Sequence, residues 1–189
     1  TSAGAFPGRG LESNDISVTA VALSALLAVD NTTLTQAALT KGVRWLQSRL
    51  ESPRSARLSI YKLALVARLW LDLSKSDSFL ESLITAINRA RQKGRRSSSF
   101  WLGQRTLTGT RQRVANVEAT ALVAQVLLRH GHHKEKALGA LQWLVGNRHP
   151  TRGYEGTRAS VEALRALSLA EFILGRVVKG RLRARVGSQ

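Results

Sequence analysis

One apolar helix is written four times in this sequence, and the repetition restricts the fold more than any other feature. The clearest copy is V-E-A-T-A-L-V-A-Q-V-L-L at residues 117–128. Val117, Ala121, Ala124 and Leu128 recur at helical spacing, and Leu122, Val123, Val126 and Leu127 leave little of its surface polar, so a buried helix is predicted. Asn116 is predicted to cap it, its side-chain oxygen accepting from an unpaired amide of the first turn. Aligned on a small hydroxyl residue, the copies read Thr19 with Leu23 and Leu26, Ser59 with Leu63 and Val66, Thr120 with Ala124 and Leu127, and Ser160 with Leu164 and Leu167. Thr19 to Ser59 is 40 residues and Thr120 to Ser160 is again 40, whereas Ser59 to Thr120 is 61 and leaves room for an insertion. A second helix follows three of the copies, at 34–50, 79–91 and 135–145. The repeating unit is a helical hairpin, and the predicted fold class is all-α, with the primary helices near 15–29, 57–73, 117–129 and 158–174 in one layer and the second helices in another.

The remaining bounds agree with a helical body. A chain of 189 residues can bury one sizeable core, and 43% hydrophobic residues is too many for a wholly disordered chain. No apolar run is long enough to cross a membrane, so no membrane insertion is expected. No basic patch followed by an apolar core opens the sequence, which therefore reads as a mature form or as a piece of something longer. There is no cysteine, which excludes a disulfide, a thiolate metal site and a cysteine nucleophile within this chain. The net charge of +17 is unevenly spread. Seven basic residues and no acid lie between positions 91 and 113, and five more with no acid between 176 and 185. The rest of the chain is ordinary in charge, so two segments outside the helices hold the excess. Such runs are solvated segments or contacts to polyanions.

In chain order, residues 1–14 form an opening loop, 15–174 the helical-hairpin domain with 92–115 as a basic inserted loop, and 175–189 a basic tail or a strand linking to a following domain. Asp15 can cap the first helix, and the turn at 30–33 leads through a Thr33–Gln36 capping box into the second. Asn31-Thr32-Thr33 is a glycosylation sequon at a hairpin tip. Ser78 with Glu81 gives a further capping box. Gly175 can stop the last helix. A small residue followed by an aromatic one precedes three primary helices, at Gly4-Ala5-Phe6, Ser99-Phe100-Trp101 and Gly153-Tyr154. Glycine permits a tight turn there, and the aromatic ring fills the gap between neighbouring hairpins. Hairpins of this length also build open solenoids; the aromatic turn fits better with hairpins closing toward a ring.

Three stretches resemble one family. N-V-E-A-T-A-L-V-A-Q-V-L-L at 116–128, A-L-Q-W-L-V at 140–145 and R-G-Y-E-G-T-R-A-S-V-E-A-L-R-A-L at 152–167 are similar, in order and spacing, to the thioester-containing domain of the alpha-2-macroglobulin and complement family. G-A-F with D-I-S-V-T-A-V-A-L-S-A-L-L, within 4–27, resembles the preceding repeat. The resemblance implies an α/α toroid of helical hairpins, here a partial ring, carried in large secreted proteins that trap proteases or tag surfaces. It also implies a G-C-G-E-Q thioester motif, which this chain lacks; the family places that motif upstream of the part represented here. The acyl-transfer histidine of complement members has no counterpart in 8–14. Leu122 replaces the family's tyrosine, and its S-T-Q triplet reads Gly156-Thr157-Arg158. No residue is therefore assigned a catalytic, cofactor-binding or metal role.

Other constellations take the plainer reading. His130-Gly131-His132-His133 could bind a metal but lacks an evident fourth ligand, and is read as a polar turn. Glu118 and Glu162 are read as solvated or capping acids instead of a catalytic pair, and Trp45, Trp70, Trp101 and Trp143 as packing residues. Zinc-dependent prenyltransferases and terpene cyclases also build helical toroids, but they need metal ligands or clustered aspartates that are not found in this sequence. The expected function is a non-enzymatic interaction domain of a secreted protein, with a protease or receptor and the remaining domains of the same protein as partners. The alternative is a basic helical-repeat module for nucleic acid or another polyanion. Nucleic acid is disfavoured because the cations lie off the helices, whereas a glycosaminoglycan fits. Lys93, Arg95, Arg96, Arg105, Arg111 and Arg113 are the expected polyanion contacts. Arg95-Arg96 ahead of three serines also reads as a convertase processing site in an exposed, extended segment.

Overall fold

Helix α5, Gln112–His130, has no face left to water over most of its length. Every residue from 115 to 128 except Asn116 is buried. The structure, a computed structural model, describes residues 16–29, 33–51, 58–104 and 106–175. Within them α1 (Ile16–Leu27), α3 (Ile60–Asp72), α5 and α7 (Thr157–Gly175) pack against one another in sequence order. Helices α2 (Thr33–Glu51), α4 (Ser78–Arg89) and α6 (Lys134–Asn147) back α1, α3 and α5 respectively. This is the predicted two-layer array of hairpins. The opening loop, the turn at 30–32, residues 52–57, Arg105 and the tail from 176 lie outside the described residues, and with them Asp15, Asn31 and the Phe6 turn.

The insertion between the second and third hairpins is not the plain loop expected for 92–115. It forms a two-stranded hairpin, β1 (Gln92–Lys93) antiparallel to β2 (Ser99–Phe100), around a tight turn at Arg95–Ser97. Arg-Arg-Ser-Ser-Ser has weak strand propensity, so the seat comes from tertiary contact. A Cβ on Gly139 of α6 would lie 2.9 Å from Ser99 Oγ and 3.2 Å from the Ser97 carbonyl, so the hairpin rests directly on that helix. The following residue, Trp101, is fully buried. Its indole N–H donates to the Ile87 carbonyl (2.7 Å), one of the last carbonyls of α4, which lack helical partners. Its backbone N–H donates to Thr120 Oγ1 in the middle of α5 (3.1 Å). Gly103 then passes so close to α5 that any Cβ would collide with the Ala115 carbonyl.

That close passage explains a misplaced cap. Asn116 does not open α5; the helix starts a turn earlier, at Gln112, and Asn116 Oδ1 instead accepts from the Gly103 amide (2.8 Å). At α4 the cap is Asp77 and not Ser78: its side chain accepts from the Leu80 amide (3.0 Å) and also receives the Trp70 indole (3.3 Å). The four aligned hydroxyls are not equivalent either. Thr19 and Ser160 stand within α1 and α7 and Thr120 within α5, but Ser59 lies outside α3 and caps it, accepting from Lys62 (3.4 Å). The aromatic plugs behave as expected at the two described turns, with Trp101 and Tyr154 buried. Gly131, in the left-handed region at φ 84°, ends α5.

If Trp101 pins the insertion to two helices, Trp101→Ala should lower stability by about 3–5 kcal/mol and Gly103→Ala by about 1–3 kcal/mol in urea denaturation. A Trp101→Ala change within about 0.5 kcal/mol of the parent, the range of a neutral surface substitution, would remove the pin from the account.

Candidate functional site

Polar side chains gather where α3, α5 and α7 meet the end of the insertion, and they line a cavity of about 600 Å³. Glu118 and Glu162 are both buried there, not solvated as the sequence suggested. The reason is the all-round burial of α5 and the packing of α7 against it. Glu162 accepts from Gln125 Nε2 (3.0 Å) and Arg68 Nη1 (3.3 Å) on one oxygen and from Arg165 Nη1 (3.3 Å) on the other. Glu118 accepts from Thr110 Oγ1 (2.9 Å) on one oxygen. Its second oxygen lies 3.8 Å from Arg158 Nε, beyond hydrogen-bond reach, and neither atom has a hydrogen bond among the described residues. Burial raises the Glu118 pKa above the ordinary 4.5, against the opposing pull of Thr110 and the Arg158 charge. The two carboxylates are therefore held by different partners on different helices, as positioning groups between α3, α5 and α7.

The expected polyanion contacts fall into two groups, of which Arg95, Arg96 and Arg113 reach the C-terminal end of α6. Lys93, Arg95 and Arg96 are exposed on the β hairpin, and Arg111 and Arg113 are exposed where α5 begins. Arg105 lies outside the described residues. Cations are disfavoured at the positive end of a helix dipole. Arg113 relieves this by reaching the opposite kind of end: its Nη2 donates to the Asn147 carbonyl at the C-terminus of α6 (2.9 Å), and Nη1 is 3.9 Å from Glu155. The hairpin turn also bears on the processing site. Arg96 and Ser97 take left-handed φ values of 51° and 63°, and Ser98 and Ser99 are buried, so the segment is a tight turn and not extended. Cleavage after Arg96 would require the hairpin to open first. The histidine turn is engaged internally, with His130 Nε2 2.8 Å from Glu81 Oε1 and its ring 5.0 and 5.9 Å from those of His132 and His133.

The three resembling stretches thus become α5, α6 and the turn into α7, in contact with one another. The profile of the A-macroglobulin TED domain matches residues 7–169. The chain belongs to that family. No curated protein matches it. The TED match makes the α/α toroid the architecture of which these hairpins are part. It also gives context to the departure at Gly156-Thr157-Arg158: in this TED domain the third residue of the triplet is the arginine that faces the Glu118 carboxyl. No helix among the described residues is long and apolar enough to cross a membrane.

The residues missed by sequence reasoning are Arg68, Gln125, Arg158 and Arg165. Arg68 meets Glu162 from 94 residues away and had no local signal, but the other three did. Glu118 and Gln125 are the charged and amide side chains in a stretch with no room for a solvent face, and Arg158, Glu162 and Arg165 recur at helical spacing.

A carboxyl with a raised folded pKa favours folding when neutral. That contribution is full below its unfolded value and is lost as pH rises through the folded one. Glu118→Gln keeps an acceptor for Thr110 and cannot ionise. Denaturation of both proteins across this range should show the variant gaining on the parent as pH rises. His133, whose pKa is lowered by burial and then by Lys136 and His130, changes both proteins alike and cancels in the difference. A difference that does not change with pH would contradict the buried ionisable role of Glu118.

Proposed function

We propose that this TED domain is a non-enzymatic interaction domain of a secreted alpha-2-macroglobulin/complement-like protein, engaging a protease, a receptor or an immune target surface without thioester chemistry of its own. The family match across 7–169 carries the reading. Two features of this chain support the non-enzymatic part. It contains no cysteine, so the thioester cannot form within it. Both oxygens of Glu162 are occupied by arginine and glutamine partners, and one oxygen of Glu118 by Thr110. Secretion accompanies the proposal, and a glycan on Asn31 would mark it.

The second reading, a charge-driven polyanion module, is favoured by one observation: Lys93, Arg95, Arg96 and Arg111 are exposed without an ion pair among the described residues. The two readings separate in a salt series. Binding to a panel of endopeptidases, to heparin and to duplex DNA would be measured by surface plasmon resonance. An interaction domain should bind at least one protein saturably at salt concentrations that abolish heparin and DNA retention. Binding confined to heparin and DNA, and lost together with rising salt, would replace the proposal with the charge module.

Within either reading the basic cluster is testable by itself. Replacing Lys93, Arg95, Arg96, Arg105, Arg111 and Arg113 with alanine should move elution from a heparin column to markedly lower salt, because each lost phosphate-like or sulfate contact removes one counterion release. Unchanged elution would show that these six side chains do not hold the polyanion.

A further inference from the structure

A second cavity, of about 920 Å³, opens on the outer surface between the β hairpin and the C-terminal half of α6. Its wall on one side is the tight turn with Arg95 and Arg96. Its floor and far side are Leu138, Leu141, Trp143 and Val145. Leu138 is 43% exposed and Val145 60% exposed, so two aliphatic side chains of one groove face water. The Trp143 ring is held flat against Phe100, centroids 5.2 Å apart, so the floor is preformed. No acidic side chain among the described residues lines the groove. Neither Arg95 nor Arg96 makes an ion pair among the described residues. Two successive non-glycine residues at the turn, Arg96 and Ser97, sit in the left-handed region, a conformation that costs on the order of 1–3 kcal/mol at each such residue. The hairpin holds them there because it is seated on α6 at Gly139.

We propose that this groove binds an acidic peptide segment of a partner protein, one that carries apolar side chains beside its carboxylates. The inference rests on the reading of the TED domain as an interaction domain and names the surface and the chemistry of the partner. Charge complementarity selects the occupant. Guanidinium groups form paired hydrogen bonds with carboxylates, and Arg95 and Arg96 present two of them at one rim. The apolar floor supplies the second requirement. A sulfated polysaccharide would engage the arginines but leave Leu138, Trp143 and Val145 in water, and an uncharged apolar ligand would leave the guanidinium groups without partners. A segment with both features satisfies both walls at once.

The probes are two fluorescein-labelled synthetic peptides of equal charge, one of glutamate with leucines four positions apart, the other with those leucines replaced by serine. Fluorescence anisotropy on the intact chain should give at least about tenfold tighter binding for the leucine peptide, the effect of burying two apolar side chains after ordering losses. Leu138→Ser with Val145→Ser, both at exposed positions, should bring the two peptides level. Arg95→Glu with Arg96→Glu should weaken both peptides, while the same charge change on α2, Lys41→Glu with Arg44→Glu, should leave the preference for leucine intact. Circular dichroism melts confirm that each variant is folded. Equal binding of the two peptides by the parent, displaced by heparin, would assign the groove to polyanions and overturn the proposal. Failure of both peptides to bind overturns it as well. If the endopeptidase panel still binds in that case, only the groove is lost; if that binding is absent too, the interaction-domain reading falls with it.

Discussion

A helix without a face to water exists only when neighbours surround it, and α5 is such a helix. Helices α3 and α7 flank it, α6 backs it, and the insertion closes the remaining side through Trp101 and Gly103. The order of the hairpins follows from this need. Helix α3 is nearly as enclosed, with Tyr61, Trp70 and the run from 63 to 67 buried. Helix α7 differs: Leu164 and Phe172 are 62% and 59% exposed. Among the described residues α5 is packed by α3 and α7 on its two flanks, whereas α7 is packed mainly by α5. The same apolar sequence pattern therefore has two burial outcomes among the described residues, according to how many described helices pack on it.

Small residues let these helices approach closely. Ala159, Ala163, Ala166 and Ala170 of α7 are buried at helical spacing. A stripe of alanines packs well but holds register weakly, because neighbouring alanines are interchangeable. The polar contacts supply what the stripe lacks. Gln125 bonds both the backbone carbonyl and the carboxylate of Glu162, and Arg158 faces Glu118. Sliding α7 by one turn would break both Gln125 bonds and leave the amide buried without them, at a cost of about 1–3 kcal/mol per hydrogen-bonding group. Buried charges are weak evidence for stability but well suited to fixing one arrangement among several similar ones. Burial of Glu118 on α5 raises its pKa, with Thr110 and the Arg158 charge pulling it back.

What the sequence made legible, and what it hid, follows the same division between local and distant causes. All seven described helices were readable from apolar period and breakers, since both are local. The caps were not. An asparagine before an apolar run signals a helix start, yet Asn116 serves Gly103, a partner contributed by the fold and not by the chain beside it. Asp77 and Ser78 are adjacent and equally able to cap, and only the backbone at Asp77 decides between them. The β hairpin has no propensity behind it; its seat on Gly139 lies about a repeat away along the chain. The candidate site was half visible. The exposed cations at 93–96 and 111–113 were found by composition, whereas Glu118 was assigned to solvent because its residue type usually lives there. The apolar character of its own helix argued against that, and should have been given more weight than residue type.

The uneven charge can now be divided by what the fold does with it. Arg68 and Arg165 hold Glu162, Arg129 binds Asp72, and Arg113 satisfies a carbonyl at the end of α6. These cations are absorbed by acids or helix ends and need no outside partner. Lys93, Arg95, Arg96 and Arg111 are not absorbed. They stand exposed on a chain already at +17 and make no ion pair among the described residues. Arg95 and Arg96 are further held on a turn whose left-handed backbone glycine would adopt at lower cost. Folding alone would be better served by neutral residues and a glycine there. The cations that the fold neither uses nor neutralises are those of the β hairpin and of the start of α5, whereas those around Glu162 serve the packing of α3, α5 and α7.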